Sequence, residues 1–214
     1  MTKQRRPLQL AYFADPMCSW CWGFAPVIES IERDFAGRLA IAVVMGGLRP
    51  FTTSPMRDTD KAEIRHHWEQ VRMRTGQPFD MDFLDRAGEG FVYDTEPAAR
   101  ALVTVRTMGV LDVLAMLHRL QEAFYAQGRD VTGSQTLADI AAEAGIDRAA
   151  FLAAFDSDQM RQSTRTDFAI SQQVGIRGFP ACLIGSDAGG YRLLNYGYQD
   201  YAALKPSIET ALAG

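Results

Sequence analysis

The chain has 214 residues, of which 47% are apolar and 22% charged, and its 22 Lys and Arg against 26 Asp and Glu give a net charge of −4. This is the composition of a globular protein long enough to bury a core without staples, and it excludes a disordered or collagen-like chain. No basic excess points to nucleic acid and no polybasic run to an anionic membrane, so neither partner is expected. The longest stretch without Asp, Glu, Lys or Arg, Pro16 to Ile28, has 13 residues and two prolines, against roughly 20 for a spanning helix, so an integral membrane protein is not expected.

In chain order, the basic start MTKQRR is like the n-region of a signal peptide, but the apolar stretch after it contains Gln9 and stops at Asp15 without a small-residue cleavage site. A cytoplasmic location is therefore expected. Leu8, Leu10, Tyr12 and Phe13 read as a first strand, broken by Asp15-Pro16. From Ser19 to Phe35 the period becomes helical through Trp22, Val27, Ile28, Ile31 and Phe35, with Gly37 as a stop. Leu39 to Met45 is a continuous, β-branched run ended by Gly46-Gly47, as a buried strand should be.

Thr59 to Val174 reads as helical nearly throughout, with Thr95 as an N-cap before Glu96-Pro97, Asp147 as another cap, and Ser157 to Val174 as a last helix. Pro180 to Ile184 and Tyr191 to Leu194 then read as two strands of a hairpin around the glycine-rich Gly185–Gly190 loop, and Asp200 to Leu212 as a closing helix. The order β-α-β, helical block, β-β-α predicts an α/β protein. Residues 1–55 and 175–214 form one domain, and the helical segment 56–174 is inserted into it, since neither outer piece has a complete core alone.

The strand-to-helix turn of the first unit carries Cys18-Ser19-Trp20-Cys21. Cysteines at i and i+3 suit zinc, haem attachment or dithiol redox chemistry, or are simply two small buried hydrophobes. Zinc needs about four ligands. Beyond the pair the chain offers lone Cys182, adjacent His66 and His67, and distant His118, so no metal is expected. Haem attachment wants a histidine where Trp22 stands. Redox chemistry fits the placement: Cys18 at the first helical position meets unpaired N–H groups and the positive dipole end, which favour a thiolate. Cys21, one turn on and covered by its helix, is then the resolving thiol.

The segment Asp15-Pro16-Met17-Cys18-Ser19-Trp20-Cys21-Trp22-Gly23-Phe24 resembles the active site of DsbA-like thiol–disulfide oxidoreductases, and within them the cytosolic FrnE-like branch of predicted protein-disulfide isomerases. Val44-Met45-Gly46-Gly47-Leu48, Thr75-Gly76-Gln77-Pro78-Phe79 and Gly178-Phe179-Pro180 agree in the same order. The resemblance implies a thioredoxin-like fold with a helical insertion, Cys18 as attacking and Cys21 as resolving thiol, and Pro180 as a cis-proline facing them. Phe179, Gly178 and Trp20 are expected to contact substrate. Periplasmic members carry a histidine inside the CxxC. Here Ser19-Trp20 fills it, which argues against an oxidising role, and since direction follows the compartment, reduction or isomerisation is expected in the cytosol.

The other residues carry weaker expectations. Asp15 reads as a partly buried proton relay for Cys21, or as a turn-former before Pro16. Trp20 reads as exposed and Trp22 as core. Gly46-Gly47 either admit a ligand to the backbone or merely end a strand. His67 reads as half-buried on the face of Ile64, Trp68 and Val71. The nine methionines read as core filler, Arg161 and Arg165 as a solvated face, and Cys182 as chemically silent.

The expected activity is disulfide exchange with protein or small-molecule thiols and disulfides, with no cofactor beyond the redox-active disulfide and glutathione as a candidate co-substrate. Two alternatives share the fold: a glutathione-dependent isomerase or transferase of the kappa-class type, which uses a serine where Cys18 stands, and a chaperone-like module whose helical block holds peptides. The oligomeric state is not encoded in any motif.

Overall fold

The computed structural model describes residues 8–213; the basic cluster at the N-terminus lies outside them. The elements are β1 (Leu8–Ala14), α1 (Ser19–Asp34), β2 (Leu39–Met45), α2 (Asp58–Thr75), α3 (Phe83–Arg86), α4 (Glu96–Met108), α5 (Val113–Tyr125), α6 (Ser134–Glu143), α7 (Arg148–Phe155), α8 (Asp158–Gln173), β3 (Ala181–Ser186), β4 (Gly190–Tyr196) and α9 (Tyr201–Ala213). The sheet order is β2-β1-β3-β4. β1 and β2 are parallel, as a strand–helix–strand crossover requires, and β3 runs antiparallel to both β1 and β4. This is the thioredoxin-like α/β architecture, with α2 to α8 between its two halves.

The helical block differs from the sequence reading in two ways. It is not continuous: residues 76–95 hold only the single turn of α3. The glycine that stops α2, Gly76, takes a left-handed φ of 76°, a conformation other residues adopt reluctantly, and the chain then runs irregularly over the motif helix. Thr95 does not cap α4 with its side chain. Its Oγ1 instead accepts from the Arg49 N–H at 3.1 Å, and Asp94 Oδ1 takes over near the helix start, accepting from the N–H groups of Glu96 and Phe51. Asp147 and Ser157 do cap α7 and α8, accepting from Ala150 and Met160.

Smaller differences have equally local causes. β3 begins at Ala181, one residue after the proline. His67 is exposed beside Glu63 on the rim of α2 rather than on its apolar face. Met73 is 76% exposed and fills no core, unlike Met17, Met45 and Met116. Arg165 is not merely solvated, since its guanidinium lies over the Phe51 ring.

Candidate active site

The motif begins where β1 ends. Asp15, Pro16 and Met17 turn the chain into α1, and Cys18 is the N-cap of that helix, with extended φ −93° and ψ 114°. It therefore stands one residue earlier than expected, at the flank of the helix's first N–H groups. Its side chain makes no capping bond; the thiol donates instead to the Phe179 carbonyl at 3.5 Å. Cys18 retains 6% exposure, whereas Cys21 and Cys182 retain none, and all three cysteines are free thiols. Burial drives the Cys21 thiol well above its ordinary pKa, the neighbouring Cys18 adds to this, and a backbone hydrogen bond at Asp15 opposes it. Burial alone raises Cys182.

Asp15 is fully buried rather than partly so. Its Oδ1 accepts from Met17 N–H at 2.9 Å and its Oδ2 from Leu48 N–H at 2.8 Å. One carboxylate thus ties the end of β1 to the motif and to the turn after β2. Burial pushes its pKa up to about 6, while the hydrogen bonds from Leu48, Met17 and Thr95 pull the other way. It is thus both the turn-former the Asp-Pro pair suggests and a titrating group beside Cys21.

The partners of the dithiol come from the far half of the sequence. The Phe179-Pro180 bond is cis, and the Pro180 carbonyl accepts from Gly197 N–H at 2.8 Å. The Phe179 ring does not point to solvent. It packs on Gly46, where an added Cβ would lie 2.0 Å from the ring, so Phe179 offers its backbone rather than its side chain to the thiol. Gly47, at φ 72°, is covered in the same way by Phe168. The two glycines therefore admit aromatic rings of the protein itself, and they also line a pocket of about 280 Å³ with Gln172, Ile176 and Arg177. Gly178 sits against the Tyr196 ring.

Trp20 is half-buried rather than exposed, its ring 5.7 Å from that of Tyr198. With Arg74, Phe179, Tyr196 and Tyr198 it lines an open groove of about 610 Å³, which shares Phe179 with the Cys18 hydrogen bond. Trp22 is core, and its Nε1–H donates to the Pro78 carbonyl while its own carbonyl accepts from Gln77 Nε2, both at 3.0 Å. This gives the Thr75–Phe79 turn a purpose, since it clamps the first turn of α1. Gly23 lets α2 approach, an added Cβ meeting Val71 at 2.8 Å.

Three contributors were not legible in the sequence. Tyr93 donates its hydroxyl to the Met17 carbonyl at 2.8 Å. Asp167 on α8 and Arg106 on α4 form a bidentate pair whose outer bonds reach Met45 N–H and the Val43 carbonyl of β2. None carries a local motif, because each is defined by contacts far away in sequence.

A four-stranded thioredoxin-like sheet with a dithiol at the start of its first helix, facing a cis-proline loop, defines a class of redox proteins. The chain belongs to the DSBA-like thioredoxin domain family, whose model matches residues 9–207. It is similar to a candidate protein disulfide isomerase of Nitrosomonas europaea, with 39% identity and a TM-score of 0.89 over 97% of this chain and 98% of that one. It is also similar to the cytosolic disulfide reductase DsbM of Pseudomonas aeruginosa, with 27% identity and a TM-score of 0.78 over 96% of this chain and 98% of that one; DsbM is also known in a structure with glutathione. The ClpXP adapter protein SpxH of Halalkalibacterium halodurans is 22% identical over 86% of this chain, which spans 61% of that relative's length.

Proposed function

We propose that the protein is a thiol–disulfide oxidoreductase of the reductase or isomerase type, acting in the cytoplasm on disulfides of proteins or small thiols. The observation that carries this reading is the graded pair: a Cys18 thiol with residual exposure at a helix start, backed by a Cys21 thiol with none and by the buried Asp15 carboxylate. The Cys18 thiolate attacks one sulfur of a substrate disulfide, and the other sulfur leaves as a thiolate that takes up a proton. Cys21 then gives its proton to Asp15 and attacks Cys18, releasing the second substrate thiol. Two electrons pass from the dithiol to the substrate, and a thiol reductant of the glutathione class returns them. The groove of Trp20, Tyr196 and Tyr198 takes the substrate segment flanking its disulfide. The DsbM structure with glutathione supports a small thiol as co-substrate.

Two variants test the reading. Cys18→Ser abolishes reduction of a glutathionylated peptide, and Cys21→Ser accumulates a covalent adduct on Cys18 that intact-mass measurement detects. Retained turnover in Cys18→Ser overturns it, as a kappa-class enzyme with serine in that place would predict. Client binding unaltered by Cys18→Ser, with no turnover in the wild type, would mark a chaperone-like module instead.

A further inference from the structure

The proposed mechanism leaves Tyr12 without a role. It lies on β1, opposite Cys182 of β3 and Val43 of β2, and its ring centroid is 5.7 Å from that of Phe24. Phe24 follows Cys21 by three residues on α1, so the two side chains project from one side of the helix onto the sheet face that carries Tyr12. The residue is fully buried, and its hydroxyl makes no full hydrogen bond among the described residues, the Cys21 side chain being the one it approaches. A buried tyrosine hydroxyl usually finds a partner, and one short of a full bond destabilises the state in which it is so. Burial drives its pKa well above the usual 10.0, and of the titrating neighbours that add to this Cys21 comes first, ahead of Cys182 and Cys18. The hydroxyl therefore keeps its proton, and the sulfur it can serve in the proposed reaction is that of Cys21, since Cys182 takes no part in it.

We propose that Tyr12 is a positioning residue for the resolving step, its O–H only weakly engaged while Cys21 is a thiol and donating fully to the Cys21 sulfur when that sulfur becomes a thiolate. The inference rests on Cys21 being the resolving thiol. As the Cys21 S–H bond breaks, the proton passes to the Asp15 carboxylate. The sulfur's electron pair forms the bond to Cys18 while the bond from Cys18 to the substrate sulfur breaks, and the substrate leaves as a thiolate that is protonated by water. Tyr12 keeps its proton throughout. Its bond is strongest while Cys21 carries charge, so it lowers the barrier more than it stabilises either resting state. The titrating groups around this sulfur are Cys18, Asp15 and Tyr12, with Tyr93 and Tyr125 facing Cys18 and Asp15 from the helical block.

The test is the iodoacetamide alkylation rate of Cys21 against pH in Cys18→Ser, with and without Tyr12→Phe, mass mapping separating Cys21 from Cys182. A hydrogen bond to a charged group predicts a rate lowered roughly ten- to a hundredfold by Tyr12→Phe at each pH below the thiol's midpoint, with the melting temperature unchanged or raised because a weakly engaged buried hydroxyl is gone. In the otherwise native chain, Tyr12→Phe prolongs the mixed disulfide on Cys18 and leaves its formation rate alone. A merely structural tyrosine gives the opposite sign, since a loosened core lowers the melting temperature and speeds alkylation; that result, or an unmoved rate, overturns the proposal. Slowed alkylation with an unaltered mixed-disulfide lifetime overturns the resolving role of Cys21, and the proposal with it.

Discussion

Asp15 offers a measurement that needs no substrate. Its carboxyl is fully buried and its pKa is raised from 3.8 to about 6. A raised acid binds its proton more tightly in the folded than in the unfolded chain, so its contribution to stability is fully present below pH 3.8 and is lost as pH rises through about 6. A shift of about two units at ~1.4 kcal/mol each amounts to roughly 3 kcal/mol. Asn in place of Asp has nearly the shape of the protonated acid and still accepts one of the bonds from Met17 and Leu48. Urea unfolding of the wild type and of Asp15→Asn in parallel cancels every other titrating group. The two proteins should match near pH 3.5, and the variant should be the more stable by roughly 3 kcal/mol above pH 7. A difference that does not change with pH, or one that favours the wild type at high pH, would refute the burial argument. If Asp15 also receives the Cys21 proton, the same variant slows turnover by roughly 10²- to 10⁴-fold and loses the acidic limb of the rate profile near pH 6.

Two further outcomes follow from geometry. Brief iodoacetamide treatment of the reduced protein at neutral pH should label Cys18 ahead of Cys21 and Cys182, which are unexposed and have raised pKa values; mass mapping that finds Cys21 or Cys182 labelled first contradicts the roles assigned. Gly46→Ala places a Cβ 2.0 Å from the Phe179 ring, so it should destabilise the fold by roughly 1–3 kcal/mol in thermal or urea unfolding and slow turnover by displacing the Phe179 carbonyl from Cys18, whereas an unaltered protein would mean the ring is free to move.

The parts legible in the sequence are those with a local cause. Leu39–Met45 is a strand of seven apolar residues and is read to the residue; the helix from Ser19 and the strand pair after Pro180 follow from periodicity and glycine placement. The dithiol is visible because its two members are neighbours in the chain. Long-range contacts decided the misreadings. Thr95 is a good cap by type, but Arg49, 46 residues away, takes its oxygen. That the Phe179 ring is received by Gly46 is invisible in the sequence, because the two lie more than a hundred residues apart. Tyr12 reads only as a strand residue, because its hydroxyl matters through a helix that passes over it.

The position of the helical block also has a reason in the site. β2 is an edge strand, and an open edge presents unpaired backbone groups. Its last turn outward is closed by the block: Asp167 Oδ2 accepts from Met45 N–H at 2.9 Å, and Arg106 Nη1 donates to the Val43 carbonyl at 2.8 Å. The next residue, Gly46, donates to the Ala14 carbonyl at 2.8 Å, and Leu48 donates to Asp15. The pair from α4 and α8 thus fixes the end of β2 immediately before the glycine that receives Phe179 and the N–H that holds Asp15. A small thioredoxin-like sheet can hold a dithiol at a helix start without such support. Holding a buried carboxylate between strand, motif and turn requires the end of β2 to be rigid, and the inserted helices supply that rigidity from outside the sheet.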